Sequence, residues 1–332
     1  MQNIIKTYLD QFKIGRKQSY KNLAVFPLLS DYSLDLNYLL LDEALAEEAI
    51  EVVEVSKEGA VPELEVINKS SVMVLILDGE ELVGAKQNRI VNTTILVPGN
   101  NTIVIPVSCV EQGRWSYAGS RFSSKERVLS PNLRAMKSEQ VHSSLRSFGK
   151  HRSNQGAIWD EISEKADRRE ARSATMAMAE IYEKDRGSIE EYAGHFGLID
   201  SQVGALFMIN GKVAGMDGFG RADSFAKTFR KLVESYALDA IDWYDPDKKV
   251  KALKSEVTGF VKDSRAARVE RHPAVGQGIE LRIESKKITG FALSLDDRIP
   301  HLCIFARGND QKSPIPHSRM GRYTQRRRNR IY

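Results

Sequence analysis

The chain has 332 residues, is 42% hydrophobic and carries a formal net charge of +5. That length and apolar content support a sizeable core in one large domain or two smaller ones, and no apolar run nears the roughly 18 residues needed to cross a membrane. The two cysteines, Cys109 and Cys303, lie far apart and argue for free thiols in a reducing compartment rather than a disulfide scaffold. With charges scattered through "MQNIIKTYLDQFKIG" and no apolar signal region, the expectation is a soluble, cytoplasmic protein.

In chain order, "NLAVFPLLS" (22–30) reads as a strand, and "LLLDEALAEEAI" (39–50) as a helix that Asp42 can cap. "EVVEVS", "ELEVIN" and "SVMVLILDG" are three short β-rich runs, and "VINKSSVMV" has the pattern of a hairpin. "RIVNTTILVP" and "NTIVIPVS" are further strands joined through the turn signal "PGNN". Helical periodicity runs through Ala157–Asp185. "SIEEYAGHF" follows as a short helix with Ser188 and Glu191 at capping-box spacing. "VGALFMINGKVAGMDGF" is a hairpin about Asn210-Gly211. "SFAKTFRKLVESYALDAID" is an amphipathic helix with Phe225, Phe229, Leu232, Val233 and Tyr236 on one face. "GIELRIES", "KKITGFALSL" and "HLCIFAR" close the body as strands.

The order lacks sustained βαβ alternation. It predicts an α+β fold with mostly antiparallel sheets from the N-terminal and C-terminal parts and a central helical segment. Residues 1–307 form one body: a β-rich part (15–119), a basic loop with helices (120–200), and a hairpin, helix and C-terminal strands (201–307). Residues 308–332 hold seven Lys/Arg against Asp310 and read as a basic disordered tail. Residues 120–153 hold nine serines and eight Lys/Arg against two glutamates. They are read as a solvated loop able to focus an anionic ligand.

The densest chemistry follows two strands. "DGEELVGAKQNR" (78–89) and "VSCVEQGRW" (107–115) together offer Glu80, Glu81, Lys86, Gln87, Asn88, Arg89, Ser108, Cys109, Glu111, Arg114 and Trp115. Lysine and arginine bind an anion, a glutamate moves a proton, and a tryptophan holds a ring. Cys109 beside cations is a candidate nucleophile, against the commoner reading of a free cysteine as a small buried hydrophobe. Glu81, Lys86, Arg89, Glu111 and Arg114 are expected to line one pocket. A second group, "GKVAGMDGFGR" (211–221), contributes Asp217 as a candidate site carboxylate, but has neither P-loop nor dinucleotide-binding spacing. A third, "RHPAVGQGIELR" with His301, sets Glu280 and Arg282 on one strand face. The six histidines form no zinc-ligand spacing, so no metal site is assigned, while carboxylate-held Mg²⁺ stays open.

"GEELVGAKQNRIVNTTILVP" and "IPVSCVEQGRWSY", with "YKNLAVFPL", "GKVAGMDGF" and "HLCIFA", resemble the ARG and rhodanese-phosphatase-superfamily-associated protein domain, a prokaryotic family in whose name ARG stands for ADP-ribosylglycohydrolase. The resemblance covers most of residues 15–307 and leaves out the tail. It implies an enzyme domain handling ADP-ribose-related or nucleotide products and supplies no mechanism. Three expectations follow. The first is hydrolysis of a phosphate-bearing nucleotide or ADP-ribose-related substrate, with Glu81 or Glu111 as general base. The second is a non-catalytic sensor with the same anionic ligand. The third is nucleic-acid binding through the 308–332 tail.

Overall fold

The computed structural model describes residues 4–56, 62–113, 119, 121–171, 175–248 and 251–307. The tail at 308–332, and with it the nucleic-acid expectation, lies outside the described residues.

The N-terminal part contains α1 (Ile4–Asp10), β1 (Lys13–Ile14), β2 (Gln18–Tyr20), β3 (Leu23–Leu29), β4 (Tyr38–Leu40), α2 (Leu41–Ala46), β5 (Ile50–Glu54), β6 (Glu63–Asn68), β7 (Met73–Ile76), β8 (Glu80–Gly84), β9 (Arg89–Val91), β10 (Ile95–Val97), β11 (Asn101–Cys109) and β12 (Phe122–Val128). Four helices follow: α3 (Pro131–Phe148), α4 (Gln155–Arg168), α5 (Met178–Lys184) and α6 (Arg186–Ala193). The C-terminal part contains β13 (Gln202–Ile209), β14 (Lys212–Phe219), α7 (Ala222–Asp242), α8 (Lys254–Arg265), β15 (Arg268–Pro273), β16 (Ile279–Glu284), β17 (Ile288–Leu295) and β18 (Arg298–Ala306). The fold is α+β, as expected.

The strands form three sheets. A nine-stranded sheet runs β1-β3-β13-β14-β18-β17-β16-β15, with β2 also on β3; a six-stranded sheet runs β12-β8-β9-β11-β6-β5; a three-stranded sheet runs β10-β7-β4. All pairings are antiparallel except β4 with β7. The Asn-Gly turn behaves as read: Asn210 (φ 50) and Gly211 (φ 73) take the left-handed conformation that a two-residue hairpin requires, and β13 pairs β14. The "VINKSSVMV" hairpin does not form. β6 pairs with β5 and β11, whereas β7 pairs with β4 and β10 in the other small sheet. Polar turn residues there mark a crossing between sheets, not a return within one.

The amphipathic α7 buries its apolar face on the large sheet, with Tyr236 stacked on Phe207 at a centroid distance of 3.8 Å. The opposite face of that sheet packs α1 and α8 through Ile5, Leu9, Val257 and Phe260. The two smaller sheets share a core in which Val66, Leu82, Val91 and Val107 meet Val74, Ile76 and Ile95. Helices α3 to α5 cover the outer side of the six-stranded sheet through Ile90, Val110, Leu133, Ile158 and Ile181.

Three local readings are corrected. The 39–50 helix shortens to α2, because Tyr38–Leu40 joins a sheet; the cap is Leu40, whose N–H donates to the Glu43 carboxylate at 3.0 Å. Ser188 lies inside α6, not at its cap. The basic segment 120–153 is not a loop: it supplies β12 and the 18-residue α3, opened by Pro131 and closed by Gly149 at φ 63. Its helix escaped the apolar-period test because its buried positions include Arg134, Lys137, Ser138, Gln140 and His142.

Candidate active site beside strand β12

The two sequence motifs do meet. In the six-stranded sheet Glu81 stands opposite Ile90, and Ile90 opposite Ser108, while Leu82, Arg89 and Cys109 form the next row. Successive side chains of a strand face opposite ways, so the pleat divides the candidates. Glu81 points with Ile90 toward the helices; Arg89 and Cys109 point with Leu82 toward the core between the small sheets. The expectation that Glu81, Lys86, Arg89, Glu111 and Arg114 line one pocket is therefore corrected at Arg89, which the pleat turns away from Glu81.

The connection between β8 and β9 is held tightly. Gly84 takes φ 139, and a Cβ there would sit 2.6 Å from the Arg121 carbonyl oxygen, so only glycine fits. Gln87 Nε2 donates to the Glu111 carbonyl at 2.8 Å, and its Oε1 accepts from Arg89 Nη1 at 3.0 Å. The Asn88 N–H donates to Glu111 Oε2 at 3.1 Å. The Lys86 N–H donates to Glu54 at 3.4 Å. Gln87, Asn88, Arg89 and Glu111 are brought together, but as a buried clasp. Cys109 is fully buried, and burial pushes its thiol up; Sγ donates to the Glu111 carbonyl at 3.1 Å. An activated cysteine needs the opposite shift, so Cys109 is corrected to a packing residue. Gln155 pairs the Cys109 backbone, accepting its N–H at 2.7 Å and donating to its carbonyl at 2.6 Å, as a neighbouring strand would. Ser108 is occupied by Asn92 and Ser153. Arg114 and Trp115 lie outside the described residues.

Glu81 differs from all of these. It is completely buried, and among the described residues neither carboxylate oxygen has a hydrogen-bond donor. Among the described residues its ion-pair partner is Arg127, with Nη1 4.0 Å from Oε2. Burial pushes its pKa up to about 7; Arg127 opposes that rise and the Glu111 charge adds to it. The adjacent Glu80 is equally buried but tied, accepting the Leu77 N–H at 2.7 Å and the Lys231 ammonium.

Arg127 reaches Glu81 because β12 is bulged. Its register on β8 shifts between Ser124 and Val128, and Glu126 takes φ 53. Such a bulge re-aims side chains, and the Ser124 hydroxyl steadies it by accepting the Glu126 N–H at 2.9 Å. On the outer side lies a cleft of about 350 Å³ whose lining includes Lys125, Arg127, Tyr182, Lys227, Arg230 and Lys231. Six Lys/Arg and four Asp/Glu border it. Arg127 packs over the Tyr182 ring, 5.3 Å from its centroid, and the Tyr182 hydroxyl donates to the Val128 carbonyl at 2.6 Å. Arg127 and Tyr182 thus stand between the cleft and Glu81.

A model of the ARG and Rhodanese-Phosphatase-superfamily-associated Protein domain matches residues 11–305. The chain belongs to this family. No curated protein and no solved structure matches it.

In this family member the second and third sequence groups converge elsewhere, in a buried network under α3. Arg134 holds Asp217 through two bonds, of 2.6 and 3.2 Å, and Asp78 at 3.4 Å; Lys137 holds Asp78 and the Val91 carbonyl. His301 Nδ1 meets Thr94 Oγ1 at 2.9 Å, and its Nε2 lies 3.5 Å from Asp217. Glu280 is held by Arg282, Thr93 and His151. Burial alone would raise Asp217, but Arg134 and His301 outweigh it and hold the carboxyl well below the usual range. Glu280 is lowered to about 2 for the same kind of reason, with Arg282 the main opposing charge to burial. Asp217 is therefore held in this network and does not line the cleft beside Glu81. Sequence reading missed Arg127, Lys125 and Tyr182. The alternation of "RFSSKERVL" was the available signal, and the bulge breaks its period. Among the described residues no helix is long and apolar enough to cross a membrane.

Proposed function

We propose that this domain is a hydrolase acting on a phosphate-bearing nucleotide or ADP-ribose-related substrate, with Glu81 as general base. The observation that carries the reading is Glu81 itself: a buried carboxylate with no hydrogen-bond donor among the described residues and a pKa raised to about 7, placed behind a cation of an adjacent charged cleft. A pKa near working pH suits a general base, and perturbed carboxylates at clefts mark functional sites more often than chance. Lys125, Arg127 and Lys231 hold the phosphate in place of the Lys86–Arg89 pair that the sequence suggested. A phosphate that draws Arg127 outward uncovers Glu81, which takes a proton from water as the water oxygen bonds to the scissile atom of the substrate; the bond from that atom to its leaving group breaks, and the leaving group takes up a proton from solvent. Glu111 acts through its charge, keeping Glu81 basic, while its backbone and carboxylate hold Gln87 and Asn88. The family's description, by its association with ARG and rhodanese-phosphatase-superfamily proteins, is context that fits such a substrate.

The test is a thermal-shift screen of ADP-ribose, NAD, cyclic nucleotides and phosphorylated RNA ends, with and without Mg²⁺, followed by product analysis of each binder. A ligand that binds the native state raises the melting temperature. Glu81→Gln is expected to keep that shift and lose turnover, and Arg127→Gln to lose the shift. A Glu81→Gln protein that turns the substrate over at the wild-type rate defeats the assignment. A binder that survives intact with wild-type protein replaces it with the sensor reading.

A further inference from the structure

At the far edge of the large sheet, His142 of α3 and His272 of β15 converge on Glu270, two residues before His272 on the same strand face. His142 Nε2 is 3.0 Å from Glu270 Oε2, and His272 Nε2 is 3.8 Å from the same oxygen. All three atoms lie within 4.8 Å of one another, with the two rings at 83°. We propose that His142, His272 and Glu270 form a binding site for a borderline divalent transition metal such as Zn²⁺. This group shares no residue with the Glu81 cleft, and the inference does not depend on the proposed function.

Ligand spacing, unmet polar atoms, neighbouring charges and donor chemistry support it. A tetrahedral centre with bonds of about 2.0–2.1 Å separates its ligand atoms by roughly 3.3 Å, and the two measured edges bracket that value. His142 is 2% exposed, yet among the described residues its Nδ1 has no hydrogen-bond partner; His272 Nε2 is likewise buried without one. A metal on His272 Nε2 satisfies that atom. With Nε2 of His142 also ligated, its Nδ1–H faces Glu284 Oε2, now 3.9 Å away, the carboxylate partner that metal-bound histidines ordinarily have. Arg146 already grips Glu270 on both oxygens, Nε to Oε2 at 2.8 Å and Nη2 to Oε1 at 2.7 Å. A carboxylate oxygen has a second lone pair, so Oε2 can ligate while Arg146 fixes its orientation and offsets its charge. Two imidazoles and one carboxylate favour zinc-like ions over Mg²⁺ and Ca²⁺, which take oxygen donors. The side chains of Glu270 and His272 remain 16% and 17% exposed, leaving an entry path and an open fourth position. His142 lies 128 residues before Glu270, so no spacing motif announces the set.

The test uses untagged full-length protein, stripped with a chelator and titrated with Co²⁺ while the visible absorption of tetrahedral cobalt is followed. One equivalent is expected to saturate the wild type, and Zn²⁺ to displace it. His272→Ala, on a partly exposed edge strand, and Glu270→Gln are expected to bind at least tenfold more weakly. His195→Ala, at an exposed site elsewhere, should bind as wild type does. Far-ultraviolet circular dichroism identifies any variant that fails to fold. The second readout is the melting temperature, which one equivalent of Zn²⁺ should raise in wild type and not in His272→Ala. Absence of the cobalt band in wild type, or undiminished one-to-one binding by a folded His272→Ala protein, overturns the proposal.

Discussion

The network around Arg134 and the pocket around Glu81 both take carboxylates fully out of water, but they treat them oppositely. Asp217 receives two guanidinium bonds, a tyrosine hydroxyl at 3.3 Å and a nearby histidine. Glu81 has one arginine at 4.0 Å and no hydrogen bond among the described residues. A buried charge is tolerable when it is paired and hydrogen-bonded. The first region meets that condition and joins α3, β14, β16 and β18 into one body. The second does not, and the unmet interaction is the resource a catalytic base needs. The contrast between Glu80 and Glu81, neighbours on one strand, shows that the difference lies in partners and not in burial.

The largest effect is expected from breaking the first region. Asp217→Ala leaves Arg134 without its main counter-ion, and unpairing a buried charge costs about 3–5 kcal/mol. Denaturant unfolding should show that loss, and a cost below about 1 kcal/mol would mean that the network is wet or weakly coupled.

The next effect has the opposite sign. The folded pKa of Glu81 is raised to about 7, above an unfolded value near 4.3. Its contribution to stability is therefore fully present below about pH 4 and is lost as pH rises through about 7. Glutamine does not titrate, so Glu81→Gln should match wild type near pH 4. It should then become more stable as pH rises, by on the order of 3 kcal/mol above pH 7. Asp217 and Glu280 run the other way. Their lowered pKa values stabilise the fold above about pH 4, and that stabilisation is lost as pH falls, through about 2 for Glu280. Glu280→Gln should accordingly flatten the acid limb of a stability–pH curve and leave the limb near pH 7 untouched.

A smaller effect is expected at the clasp between the regions. Gln155→Ala removes both bonds that close the end of β11 and should cost about 1–3 kcal/mol, since a buried amide pair is left unmade. The loss should be uniform from pH 5 to pH 8, which separates it from either titrating region.

Much of this contrast was legible in part. The Asn210-Gly211 hairpin, α7 and the three closing strands followed from local turn chemistry and periodicity, which need no distant partner. Glu81 stood out because two charged motifs follow strands. What sequence could not supply was pairing between distant segments. It could not show that β6 and β7 enter different sheets, nor that Asp217 and Asp78 share one arginine while His301 meets Asp217. Nor could it show that the pleat sends Arg89 away from Glu81. The helix α3 was read as a solvated basic loop because buried Arg134, Lys137 and His142 imitate a surface. Polar residues inside a core carry no periodic signature until their partners are known.

Carboxyl ¹³C NMR of glutamate-labelled protein, differenced against Glu81→Gln, measures the ionisation of Glu81 directly. One resonance absent from the variant should titrate with a midpoint near 7, within about a unit. A midpoint near 4, where an ordinary solvated glutamate titrates, would contradict the claim that the protein holds this carboxylate in reserve.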